Sequence, residues 1–305
     1  MPILRINAQN EVPQLHGVSH ALGSVLHRAL GQDGPIVVMV HGYRFLPGDG
    51  GNCPHRHIFA PDTTTNHRGL SWPRHLGFGR GHLQDGLAIA FGWNARGSLW
   101  RARKTASEAA RALAYLVRMI RKIDATRPVH VIAHSLGGYL ALEAMQHLWA
   151  GDLGRVILMN AAAYQSQAKA ALRTPAGREC ELFNVISREN NLYDLMFERI
   201  FRPNVRCDRA LGRGISARNA VTLDLGNRVI LARMRDIGFP VAAPAHWACH
   251  WSTYLRPGIF PFYQSLLRAP ARLPFSYLQH ILRADIPNGV TAATTPLLMR
   301  VKRAS

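Results

Sequence analysis

Residues 129 to 142 read Val129-His-Val-Ile-Ala133-His134-Ser135-Leu136-Gly137-Gly138-Tyr-Leu-Ala-Leu142. An apolar, β-branched run meets a serine and passes, with no spacer, into a helical pattern. A serine in so sharp a strand-to-helix turn projects its hydroxyl above the edge of a sheet. The turn is crowded, so the residues two before and two after the serine must be small. Ala133 and Gly137 meet that need, Ala133 standing where glycine is the commoner choice. The helix that follows points its positive end and its free N–H groups back at the serine. The N–H of Leu136 is therefore an expected oxyanion donor. The competing reading is that Ser135 merely caps a helix. The full strand–Ala-His-Ser-Leu-Gly-Gly–helix setting favours a nucleophile.

Outward from this turn, further apolar runs fit buried strands of a parallel sheet: residues 35–40, 86–91, 155–159 and 181–187, with 228–232 read as a sixth strand. Helical patterns lie between them. Over residues 98–123, Leu113, Leu116, Val117 and Ile120 share one face and the arginines largely the other. A second helix is expected over 136–149, stopped by Gly151. Strand and helix alternating in this way predict an α/β fold, a mostly parallel central sheet with helices on both faces. Residues 44–85, rich in Gly, Pro, His and Asn, read as a long loop or lid, and 202–226 as an irregular insert. One domain is expected over 1–269, followed by a basic tail at 270–305.

The chain of 305 residues carries a net charge of +19, with Lys+Arg 37 against Asp+Glu 18. Only Lys104, Lys122, Lys169 and Lys302 are lysines; the arginines are scattered singly or in short groups. No long basic tract or aromatic–basic motif appears, so no nucleic-acid partner is expected, and a weak attraction to anionic surfaces is. Cys53, Cys180, Cys207 and Cys249 fit no zinc-ribbon spacing and read as free thiols of a reducing compartment. The start of the chain lacks a basic segment followed by a long apolar run, and a cytoplasmic protein is expected. Cys53-Pro-His55-Arg-His57, with Asp62, His67, His75 and His82 nearby, invites a metal reading, but the spacing matches no finger and no metal site is expected. Phosphate-binding glycine motifs are absent from the sequence, and no cofactor is expected.

The segments Val-Met-Val-His41-Gly42-Tyr43 and Ala-His-Ser135-Leu-Gly-Gly together resemble the α/β-hydrolase superfamily. They are similar in particular to poorly characterised bacterial hydrolases with a Trp-x-x-x-Gly segment after the next strand, here Phe91-Gly-Trp93-Asn-Ala-Arg-Gly97. The resemblance covers roughly residues 35 to 260. It implies that the N–H of Tyr43 is the second oxyanion donor, each donor lowering the barrier by about 3 to 4 kcal/mol. His41 is expected to brace its loop. The chain order is then nucleophile, acid, histidine. His250, just before the last helical pattern, is the expected base and His246 the alternative, with His280 left in the tail. The acid position falls near Asn191, which is no acid. Asp194 is the expected acid, Glu189 the second candidate and Asp224 a weaker third. His134 and Trp93 are expected at the substrate, with Trp72 and Phe78 as further aromatic lining.

The implied activity is cleavage of carboxylic esters of a small-molecule or acyl substrate through an acyl-enzyme, as an esterase or lipase. Thioesterase or amidase chemistry would use the same residues. The rival is a non-catalytic binding protein on the same fold, which predicts Asp194 and Glu189 both distant from His250.

Overall fold

The computed structural model describes residues 3–61, 70–81 and 84–282. In chain order the strands are β1 Ile3–Gln9, β2 Val12–Leu15, β3 Ile36–Val40, β4 Leu87–Gly92, β5 Val129–His134, β6 Leu153–Met159, β7 Glu181–Ile186 and β8 Ala220–Asp224. The helices are α1 Leu22–Ala29, α2 Trp72–His75, α3 Leu99–Ile123, α4 Leu136–Ala144, α5 Gln165–Ala171, α6 Pro175–Glu179, α7 Asn191–Ile200, α8 Arg228–Asp236, α9 Ser252–Leu255, α10 Ile259–Arg268 and α11 Phe275–Ile281. The strands form one eight-stranded sheet in the order β2-β1-β4-β3-β5-β6-β7-β8. All neighbours run parallel except the β1–β2 hairpin.

The strand pleat divides the core in two. Ile36, Val38 and Val40 point into an apolar layer with α1, α3 and α4, while Val37 and Met39 point into a second layer with α8 and α10. Burial on both faces explains why these strands are continuously apolar. In α3 the buried stripe mixes Leu113, Leu116, Val117 and Ile120 with Ala102, Ala106, Ala109 and Ala110, and the alanines let the helix lie close to the sheet. The Ser98 hydroxyl caps it by accepting from the Arg101 N–H at 3.2 Å.

Several boundaries differ from the sequence reading. Residues 228–232 lie in helix α8, started by Asn227, whose side chain accepts from the Val229 and Ile230 amides. The sixth parallel strand of the run is β8, inside the stretch read as irregular. Its Val221 and Leu223 are buried and Thr222 is not, a half-covered edge pattern. The hairpin β1–β2 was missed as well. Helix α4 ends at Ala144 and continues as a tight turn, Met145–His147, because Asp152 captures the Trp149 N–H at 2.8 Å. Trp72, Phe59 and Phe78, from the loop at 44–85, are core residues of the second layer, so Trp72 and Phe78 do not line a substrate pocket. Asp62, His67 and His82 lie outside the described residues.

The start of the tail packs on the body. Leu273, Leu278 and Leu282 are buried, and the Arg155 guanidinium donates to the carbonyls of Leu266 and Leu273 at 3.0 and 2.7 Å. Among the described residues, no helix is long and apolar enough to cross a membrane.

Candidate active site

Ser135 stands between the last residue of β5 and the first of α4 with φ 54° and ψ −122°, a conformation that costs a non-glycine residue about 1 to 3 kcal/mol. Neighbouring elements press around it. A Cβ at Gly137 would come within 2.4 Å of the His41 carbonyl, and one at Gly42 within 2.8 Å of the Ser135 Cβ. The turn is held by backbone bonds: Ser135 donates to Met159 and accepts from Gly138 and Ala162. Leu136 opens α4, so its N–H has no acceptor within the helix. The Tyr43 N–H likewise donates to no backbone acceptor among the described residues.

His250 reaches the serine from the opposite end of the chain. Its Nε2 lies 2.7 Å from Ser135 Oγ, and its Nδ1 2.6 Å from Asn190 Oδ1. The Asn190 amide also donates from Nδ2 to Asp194 Oδ1 at 3.0 Å. A carboxylate only accepts, which turns the amide nitrogen toward Asp194 and the amide oxygen toward His250. An amide oxygen only accepts, so Nδ1 carries the imidazole proton and Nε2 offers its lone pair to the serine hydroxyl.

Packing fixes that ring. It stacks on Tyr193 with centroids 4.8 Å apart and leans on the His134 ring at 4.6 Å. The His250 carbonyl accepts from Asn160 Nδ2 at 2.9 Å and His134 Nε2 at 3.1 Å. Burial, and then the neighbouring His134, hold the His250 pKa well below the usual imidazole value. The ring is therefore neutral and able to accept a proton at neutral pH.

Glu189 secures the loop that delivers His250. This buried carboxylate accepts from the Ala245 and His246 amides at 3.1 and 2.8 Å, and pairs with the equally buried Arg256. Its backbone carbonyl takes the Cys249 N–H at 2.8 Å. Burial alone would raise its pKa, but the His246 amide and Arg256 outweigh it and the net shift is downward.

The expected residues fall into place unevenly. Ser135 and His250 meet. His246 contributes its main chain to Glu189, while its side chain is exposed and it is His250 that meets Ser135. His280 lies on α11. Asp194 does not touch His250: the Asn190 amide stands between them, because α7 starts one residue after Asn190 and carries Asp194 one turn further along. Asp194 is buried against the Gly212 backbone, and burial raises its pKa to about 6, the Asn190 bond and Arg213 opposing. Asp224 caps a turn at Gly226 instead.

Trp93 is not at a substrate surface. It is fully buried, stacks on His41, and donates from its backbone and indole N–H groups to His41 Nε2 and the His41 carbonyl, both at 3.0 Å. His41 is thus a brace, with burial lowering its pKa to about 3. His134 is also buried, behind His250 and against Tyr254, and holds the His250 backbone rather than facing outward. The sequence reading missed Asn190, Asn160 and Tyr193. Asn190 lies between β7 and α7, where the resemblance implies an acid, and its amide carries no carboxylate signal.

The eight-stranded, mostly parallel sheet covered by helices is a fold of the α/β-hydrolase type. Residues 19–160 match the model of a family described as alpha/beta hydrolase of unknown function, a segment that holds Ser135 but not His250 or Asn190. No curated protein matches the sequence. Among solved structures, phospholipase PlaB from Legionella pneumophila, in complex with thio-NAD, is similar at 16% identity with a TM-score of 0.29, over 53% of this chain and 39% of that one. The chain thus spans well under half the length of that structure.

Proposed function

We propose that the protein is a serine hydrolase that cleaves carboxylic esters through an acyl-enzyme on Ser135. The observation that carries the reading is the 2.7 Å contact between Ser135 Oγ and His250 Nε2 at a strained strand-to-helix turn.

His250 Nε2 takes the hydroxyl proton as Ser135 Oγ bonds to the ester carbonyl carbon. The Leu136 and Tyr43 amides donate to the oxyanion. The imidazolium is stabilised by Asn190 Oδ1, with the Asp194 carboxylate polarising that amide from behind. As the tetrahedral intermediate collapses, the bond to the leaving oxygen breaks and that oxygen takes the proton from Nε2. Water then attacks the acyl carbon and gives its proton to His250. Collapse frees the carboxylic acid, and Ser135 recovers its proton.

Labelling with a fluorophosphonate probe tests the nucleophile. Wild type and His246→Ala label, His250→Ala labels slowly, and Ser135→Ala not at all. Turnover of p-nitrophenyl esters should fall by about 10⁴-fold or more in Ser135→Ala. Full labelling of Ser135→Ala would end this reading. One observation favours the second reading, a non-catalytic binding protein: among the described residues no carboxylate hydrogen-bonds His250, whose Nδ1 meets Asn190 instead. That reading requires a wild type that neither labels nor turns over any ester, thioester or amide.

A further inference from the structure

Helix α7 is amphipathic in an unusual sense. Asp194 and Phe197 face inward, while Leu192, Leu195 and Met196 are exposed at helical spacing, continued by Arg199. The helix begins beside the site, where Tyr193 stacks on His250. Trp251, 49% exposed, meets the same ring edge-on with centroids 6.3 Å apart, and Trp247, four residues earlier on that loop, is 85% exposed. The start of the apolar helix and Trp251 thus both adjoin the His250 ring, with Trp247 on the same loop. Scattered exposed apolar residues are ordinary, but a cluster of them beside a site marks an interaction surface.

The charge of the chain segment around α7 narrows the partner. Arg188, Arg199, Arg202 and Arg206 are exposed, and none forms an ion pair among the described residues. Glu189 and Asp194 are buried, and Glu198 is engaged by Arg209 and the Ala210 amide. A second copy docked by two-fold symmetry would set these same arginines against each other. Nucleic acid would match the arginines but leave the leucine, methionine and tryptophan side chains without a partner. An anionic bilayer matches both: phosphates for the arginines, the interfacial zone for tryptophan, and acyl chains for the leucines.

We propose that the rim formed by α7 and the Trp247–Trp251 segment docks on anionic phospholipid bilayers, presenting the Ser135 site to the membrane surface. Docking itself needs no catalysis; only its use, in supplying acyl substrates from the bilayer, rests on the ester-hydrolase reading.

The test is co-sedimentation of the full chain with phosphatidylglycerol or phosphatidylcholine vesicles. The expected result is binding to phosphatidylglycerol vesicles, weakened by salt, and little to phosphatidylcholine. Trp247→Ser, and Leu195→Ser combined with Met196→Ser, should each weaken binding by about tenfold. Their thermal unfolding should stay unchanged. Ser135→Ala should pellet like wild type, so that loss of docking and loss of hydrolysis are read separately. The proposal is overturned if the rim variants bind as wild type does or if neutral vesicles bind equally. It is also overturned if the wild type fails to pellet and instead sediments as a dimer that the double variant dissociates, or shifts duplex DNA.

Discussion

Ser135 is held by its covalent neighbours: β5 delivers it, α4 carries it away, and Gly42, Gly137 and Gly138 leave the room it needs. His250 stands in a stretch, residues 239–251, with no helix or strand of its own. Its position is imposed from outside, by Glu189 on the loop amides, by Asn160 and His134 on its carbonyl, and by Asn190 on its ring. The proposed nucleophile is thus a property of a local turn inside a rigid sheet. The proposed base is positioned by a polar network of single hydrogen bonds from several elements. Damage should therefore spread differently in the two regions. Around Ser135 it should be steric, and around His250 it should travel through single hydrogen bonds.

The network has one charge pair at its root, and breaking it should give the largest effect on folding. In Glu189→Gln the side-chain oxygen still accepts from the loop amides, but buried Arg256 loses its counter-charge. Removing one partner of a buried pair destabilises by about 3 to 5 kcal/mol. Chemical denaturation should show a loss of that order, with ester turnover falling in parallel as the loop releases His250. Unchanged stability would mean that the loop is held by something other than this clamp.

Next comes Asn190→Ala. It removes the acceptor on Nδ1 while leaving the backbone clamp in place. The imidazole then loses both its tautomer preference and the partner of its cationic form, and kcat should fall by about 10² to 10⁴-fold with stability little changed. A loss confined to KM would place Asn190 outside the proton transfer.

These two variants also explain what the sequence could disclose. The strands β3 to β7, helix α3 and the serine turn were legible because each is written in a contiguous pattern of apolar and small residues. Strand β8 and helix α8 were confused because a short half-buried edge strand and an Asn-capped helix both show only a few apolar residues in a row. At the site, His250 was legible from its place before α10. Asn190 was not, because nothing in a single sequence says which polar residue after β7 will face a ring sixty positions away. Trp93 was misplaced for a related reason: an aromatic near a site looks the same in sequence whether it meets substrate or, as here, stacks on His41.

A smaller effect tests the far end of the network. Asp194, its pKa raised to about 6 by burial, is charged above that pH and neutral below it. If its charge polarises Asn190, kcat should lose about tenfold in Asp194→Asn at neutral pH, where about 1.4 kcal/mol of imidazolium stabilisation disappears. The wild-type pH profile should carry a limb near pH 6 that this variant lacks. Stability should run the other way. The folded-state pKa lies above the ordinary carboxylate value, so the neutral acid favours folding. That contribution is fully present below about pH 4 and lost as the pH rises through about 6. Asp194→Asn should therefore be more stable than wild type at pH 7. A less active but more stable variant would be the sign of a buried charge retained for function.

The smallest expected effect isolates the comparison most sharply. His246 and His250 are four residues apart on the same loop, and the sequence offered both as the base. Yet His246 is used only through its N–H, donated to Glu189 at 2.8 Å, while its side chain is exposed. His246→Ala keeps that N–H and removes nothing else that touches the network. It should keep stability within about 0.5 kcal/mol, and ester turnover close to that of wild type. His246→Pro deletes the same N–H and should lose activity through the loop, although the imidazole it removes is equally absent from the alanine variant. If alanine and proline at 246 were equally damaging, the side chain would matter after all, and delivery of the base could no longer be assigned to the main-chain clamp.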